Sequence, residues 1–98
     1  AKSSGKHIIV YATSQTCYFC KKMEKEVLSL DSVQKTMNED YIFLKVDVDF
    51  VSLPFGLKKY FKGMTPTFFI LTSAGELLNT YPGSWVKDDY LKILEENL

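Results

Sequence analysis

Between Gly5 and Thr13 the chain runs His7-Ile8-Ile9-Val10-Tyr11-Ala12, without the polar alternation of a strand that has one wet face. Such a run fits the middle of a sheet covered on both sides, so the rest of the chain must supply two covering layers. With 98 residues, 46% of them hydrophobic, there is apolar material for one packed core. The chain reads as one domain over residues 1–98, with 1–6 expected to be a flexible leading segment.

Helical and strand patterns then alternate. From Tyr18 onward Phe19, Met23, Val27 and Leu30 recur at steps of four and three, while Lys21, Lys22, Glu24, Lys25 and Glu26 fill the other side of an amphipathic helix. Asp31 and Gln34 have the spacing of a capping box, which predicts a kink and a restart through Val33 and Met37 to an end near Asn38. Residues 41–48 predict the second strand. Ser52 is expected to cap a short helix with Pro54 in its first turn, a buried stripe of Leu53, Leu57, Tyr60 and Phe61, and Gly63 as its stop. Residues 67–72 and 76–81 read as two strands joined by the turn Ser73-Ala74-Gly75. Pro82-Gly83 breaks the pattern. Ser84 opens a last helix with Asp88 and Asp89 in its first turn and Val86, Tyr90, Leu94 and Leu98 facing inward. The predicted order is βαβαββα, an α/β fold.

Twelve lysines, with no arginine, balance twelve acidic residues. No net field draws the protein to nucleic acid or to an anionic membrane. No apolar stretch, 68–71 included, approaches the ~18 residues that span a bilayer, so neither nucleic-acid binding nor membrane insertion is expected. The start Ala1-Lys2-Ser3-Ser4-Gly5 lacks the basic and apolar regions of a signal peptide. A cleaved leader would also leave such a start, so the compartment is not read from it.

The only cysteines stand in Cys17-Tyr18-Phe19-Cys20, after the apolar run and at the head of the helical pattern. Free amides in a first helical turn favour a thiolate, the nucleophile of disulfide exchange, which makes Cys17 the attacking sulfur and Cys20 the resolving one. Three other readings of the pair stand beside this one. A zinc site would need four ligands, and the chain offers two cysteines and His7, so metal would have to bridge two chains. A purely structural disulfide would close a four-residue loop worth about 2 kcal/mol. Two unreactive core cysteines have no need of a helix start.

The pair between strand and helix, together with Met64-Thr65-Pro66-Thr67 leading into a strand and Gly83 before the last helix, resembles the thioredoxin superfamily. The likeness runs from His7 to Leu98 and lacks the extra strand and helix that many thioredoxins carry at the amino end. Cys20-Lys21-Lys22-Met23-Glu24-Lys25-Glu26-Val27 followed by Asp31-Ser32-Val33-Gln34 is similar to bacterial periplasmic thioredoxin-like proteins. These include the carboxy-terminal domain of the transmembrane thiol:disulfide interchange reductase and its small sulfur-metabolism-associated relatives.

The resemblance implies a thioredoxin fold, a central four-stranded mixed sheet flanked by helices. It implies a monomeric thiol-disulfide oxidoreductase that reduces or exchanges disulfides in protein substrates, with no metal and no cofactor beyond the Cys17-Cys20 dithiol. An upstream electron donor or acceptor protein would serve it, in the periplasm or, as the alternative, the cytoplasm. An oxidase or isomerase, and a redox-silent interaction module, are the other functional readings. An isolated X-Pro bond is expected trans, whereas the resemblance implies a cis bond at Pro66 and a substrate-binding shelf at Thr65 and Pro66.

Two positions depart from the family pattern: Thr16 stands where a tryptophan is usual and Tyr11 where a buried carboxylate is usual. Glu24, four residues after Cys20 and so on the same helix face, is the candidate to assist deprotonation of Cys20. A solvated glutamate pairing with neighbouring lysines is the competing account. Lys45 is expected to reach solvent. Tyr18 is expected to offer an exposed ring to substrate and Phe19 to join the core. Trp85 is read as packing on the sheet, and Asp47 and Asp49 as ending a strand.

Overall fold

The structure, a computed structural model, describes residues 5–98. The predicted flexible segment 1–6 falls mostly outside the described residues. The elements are β1 (His7–Thr13), α1 (Tyr18–Met23), α2 (Asp31–Asp40), β2 (Tyr41–Asp47), β3 (Thr67–Leu71), β4 (Leu77–Pro82) and α3 (Lys87–Glu96). The order in space is β2-β1-β3-β4, with β1 parallel to β2 and antiparallel to β3, and β3 antiparallel to β4.

The apolar run does form an inner strand, and Ile8 to Ala12 are buried on both faces. On one face Ile9, Tyr11, Phe68 and Ile70 pack against Met23, Val27, Val33 and Met37 of the first two helices and Tyr90 and Leu94 of α3. On the other Ile8, Val10, Ala12, Phe69 and Leu71 meet Leu57, with Leu53 and Phe61 at the margin. Three helices thus cover one face, and the irregular stretch after β2 covers the other.

The first helix changes pitch rather than simply ending. A single π turn, Glu24–Leu28, follows α1, with the Ser29 amide donating to the Glu24 carbonyl five residues back. The restart at α2 is where the pattern predicted it, but the capping box is not formed. Leu30 occupies the N-cap position with no side-chain cap, Asp31 is already helical, and Gln34 Nε2 donates to the Leu28 carbonyl, 3.2 Å. The π turn adds a residue to the helical path and shifts the boundary.

The predicted helix at 52–61 is replaced by a 3-10 turn, Leu57–Tyr60. Phe55 and Gly56 both take positive φ, 58° and 68°, which no helix accommodates. Of the expected stripe only Leu57 is buried; Tyr60 is exposed, and no cap forms at Ser52. In the last helix the N-cap is Val86, not Ser84, and Val86 and Leu98 are exposed, while Ile93 takes an inward place with Tyr90 and Leu94. Trp85 packs at the edge of the helical core, its ring set edge-on to Tyr81 of β4 at 6.0 Å. After β2 the Asp47 side chain accepts from the Asp49 amide, 3.0 Å, and its carbonyl accepts from Phe50 and Val51, so this pair closes a turn.

Candidate active site

Extended backbone at Cys17, φ −85° and ψ 112°, ends the strand-to-helix connection and makes Cys17 the N-cap of α1. Its sulfur takes the place of a capping oxygen: the Cys20 amide donates to Cys17 Sγ at 3.0 Å. Cys17 and Cys20 are joined as a disulfide with Cα atoms 5.2 Å apart. Cys17 is half-buried, whereas Cys20 is 0% exposed. An approaching thiol therefore meets Cys17 first.

The loop before β3 comes up beside the sulfurs. The Thr65–Pro66 peptide bond is cis, and Cys17 Sγ lies 3.3 Å from the Thr65 carbonyl oxygen. Thr67 Oγ1 donates to the Met64 carbonyl at 2.6 Å, and the Gly83 amide donates to the Pro66 carbonyl at 2.7 Å. Gly83 has φ +95°, a conformation that suits glycine. One turn beyond Cys20, Met23 Sδ accepts from the Trp85 amide at 3.3 Å. The helix of the cysteines, the Pro66 loop and the loop before α3 are thereby fastened to one another.

The rim is aromatic. Tyr18 is 70% exposed, as expected, but Phe19 is 56% exposed, against its expected place in the core. The buried stripe of α1 starts at Cys20 and Met23. The two rings meet edge-on at 5.2 Å.

Behind the disulfide, three strand residues converge on Glu24. Lys45 Nζ donates to Oε1 at 2.6 Å, Tyr11 donates to Oε2 at 3.3 Å and Thr13 Oγ1 donates to the same oxygen at 3.4 Å. Tyr11 also reaches the Cys20 carbonyl, 3.2 Å. Burial, reinforced by the Glu24 charge, pushes the Tyr11 phenol well above its ordinary range, so this hydroxyl stays a neutral donor. Glu24 lines an open polar cavity of about 590 Å³ together with Thr13, Ser14, Lys21, Lys45 and Asp47.

Cys17, Cys20, Glu24, Tyr18, Thr65 and Pro66 thus fall in one region of the structure. Lys45 corrects the expectation of a side chain that merely reaches solvent: it is half-exposed and paired with Glu24. Tyr11 was legible only as a departure from the family pattern. The signal that finds both is strand register, since Tyr11 and Lys45 are direct neighbours across the parallel β1–β2 pair. Among the described residues no group of three or more His, Cys, Asp or Glu side chains is gathered as a metal site would need.

A half-buried sulfur at a helix N-cap, a buried partner within disulfide reach and a sheet of this topology define a thiol-disulfide oxidoreductase of the thioredoxin type. The family model for the thioredoxin-like domain matches residues 1–97, and the chain belongs to that family. Among solved structures, a thioredoxin from Thermus thermophilus is 30% identical over 98% of this chain and 76% of its own, with a TM-score of 0.81. The oxidised C-terminal domain of DsbD from Neisseria meningitidis is 22% identical over 95% of this chain and 81% of its own, TM-score 0.72. A DsbH oxidoreductase is 17% identical over 99% and 75%, TM-score 0.77. The last two establish likeness of fold. No curated protein sequence gives a significant match.

Proposed function

We propose that the protein reduces or exchanges disulfides in protein substrates as a single-domain monomer, with the Cys17-Cys20 dithiol as its only redox group. The observation that carries this reading is the placement of the two sulfurs: Cys17 outward, held by the Cys20 amide and beside the Thr65 carbonyl, and Cys20 fully buried behind it. In the reduced protein the Cys17 thiolate attacks one sulfur of a substrate disulfide, forming a mixed disulfide as the other substrate thiolate leaves and takes up a proton. Cys20 then loses its proton, attacks the Cys17 sulfur and closes the internal disulfide, and the second substrate thiolate leaves. Two electrons pass from the dithiol to the substrate.

Thr65 and Pro66 form the shelf for an extended substrate segment, and Tyr18 contributes an apolar rim. Glu24 receives the Cys20 proton, supported by its position one turn on and by the cavity that opens it to water. A second protein returns the dithiol to its working state. The compartment proposed is the bacterial periplasm, on the sequence resemblance described above.

Insulin reduction coupled to dithiothreitol tests the catalytic reading. Wild type accelerates it and Cys17→Ser does not; equal rates for the two would reduce the protein to a binding module. The reduction potential of the pair against glutathione tests direction, since a value near the oxidising end of the ~150 mV family span would overturn net reduction.

A further inference from the structure

We infer that Tyr11 is a positioning residue for the resolving step: its one phenolic proton, shared between the Cys20 carbonyl and the Glu24 carboxylate, registers that carboxylate against the helical turn carrying Cys20. The inference rests on the role proposed for Glu24 and deepens it.

The Tyr11 ring cannot swing away. It is fully buried, with Phe68 at 4.8 Å and Phe43 at 5.8 Å between ring centroids. Its hydroxyl therefore has a fixed place, and a buried hydroxyl requires partners. The partners lie where the helix changes pitch: the Glu24 amide divides its hydrogen bond between the Cys20 and Lys21 carbonyls, and the π turn begins at Glu24. The Cys20 carbonyl thus accepts from both the Glu24 amide and the Tyr11 hydroxyl. The same hydroxyl holds Oε2 of Glu24 from β1, with Thr13, while Lys45 of β2 holds Oε1. Lys21 and Asp47, which line the same polar cavity as Glu24, are the other charged groups of this surrounding. A glutamate side chain on a helix surface has many rotamers. Tyr11 and Lys45 together select one. Because the phenol remains protonated through the working range, it acts only by donating.

The test follows both thiols released when reduced protein meets an excess of a dye-labelled peptide disulfide in a stopped-flow instrument, from pH 5 to 9. Tyr11→Phe keeps the ring and removes the donor, and circular dichroism checks its fold. The first release, attack by Cys17, is expected unchanged. The second slows about tenfold, a fraction of the ~10²–10⁴ that a positioned acid or base contributes. Adding Tyr11→Phe to Glu24→Gln has no further effect, because the two act as one unit. If Glu24→Gln slows the second release and Tyr11→Phe does not, the inference fails and the role of Glu24 survives. Additive effects of the two substitutions also overturn it. If Glu24→Gln leaves the second release unchanged across the pH range, the role of Glu24 falls, and the inference with it.

Discussion

Polar groups are gathered at both ends of β1, on different terms. At the His7 end Asn97 is buried and its side chain is saturated by short neutral bonds: Nδ2 donates to the Tyr81 hydroxyl at 2.9 Å and to the Ile93 carbonyl at 2.8 Å, and Oδ1 accepts from Asn79 at 2.6 Å. Its carbonyl accepts from His7 Nδ1 at 2.7 Å. At the other end Glu24 is charged, faces a cavity and takes two of its three hydrogen bonds at 3.3 and 3.4 Å. The closed cluster fastens α3 to the sheet. The open one leaves the carboxylate facing the cavity, with Lys45 as its one short partner. On the function proposed for Glu24, saturation, rather than the mere presence of buried polar atoms, separates a structural network from one placed for chemistry.

Each prediction presses on this contrast. Cys17→Ser has the largest effect: catalysed insulin reduction disappears while the thermal midpoint of the reduced protein stays close to that of the parent. Asn97→Ala removes the hydrogen bonds to Asn79, Tyr81 and the Ile93 carbonyl and should cost about 2 kcal/mol of stability in denaturant unfolding, with exchange per folded molecule unchanged. Loss of exchange without loss of stability would erase the distinction between the two ends. Glu24→Gln gives the reverse pattern, a second thiol release slowed about 10²-fold or more. Its stability changes by less than about 1 kcal/mol, because the pair with Lys45 is partly solvated.

The smallest effect is alkaline. Burial, with the Asp40 charge and Tyr81 adding to it, pushes the Tyr41 phenol up to about 12, and burial raises Tyr11 and Tyr90 as well. An unfolded tyrosine loses its proton near pH 10. Between that value and the folded one, the unfolded chain binds fewer protons. Stability is thus fully present below about pH 10 and declines as pH rises toward 12. Tyr41→Phe should flatten part of that decline in denaturant midpoints taken from pH 8 to 12; an unchanged slope would remove Tyr41 as a cause.

The sequence made one side of the sheet far more readable than the other. Helical stripes such as Met23, Val27, Val33 and Met37 repeat locally, and they do cover the face that holds Tyr11. The opposite face depends on Leu57 and a stretch whose shape is set by positive φ at Phe55, a preference that no side-chain pattern announces. The Phe55 ring lies over Gly75, 3.0 Å from where a side chain at that position would begin. Likewise Cys17 and Cys20 could be paired from their spacing alone. The partners of Glu24 lie 13 and 21 residues away in the chain, and only the register of β1 on β2 brings them together.

The bond from His7 to the Asn97 carbonyl brings the two termini of the fold to the same pole. The seven residues of β1 span ~20 Å between that pole and the strand end that leads to Cys17. A fluorescent tag, an affinity handle or a second catalytic module spliced before His7 or after Leu98 would hang from the side remote from the sulfurs. The domain is therefore suited to work at the end of a tether, presenting its reactive face outward whichever terminus carries the cargo.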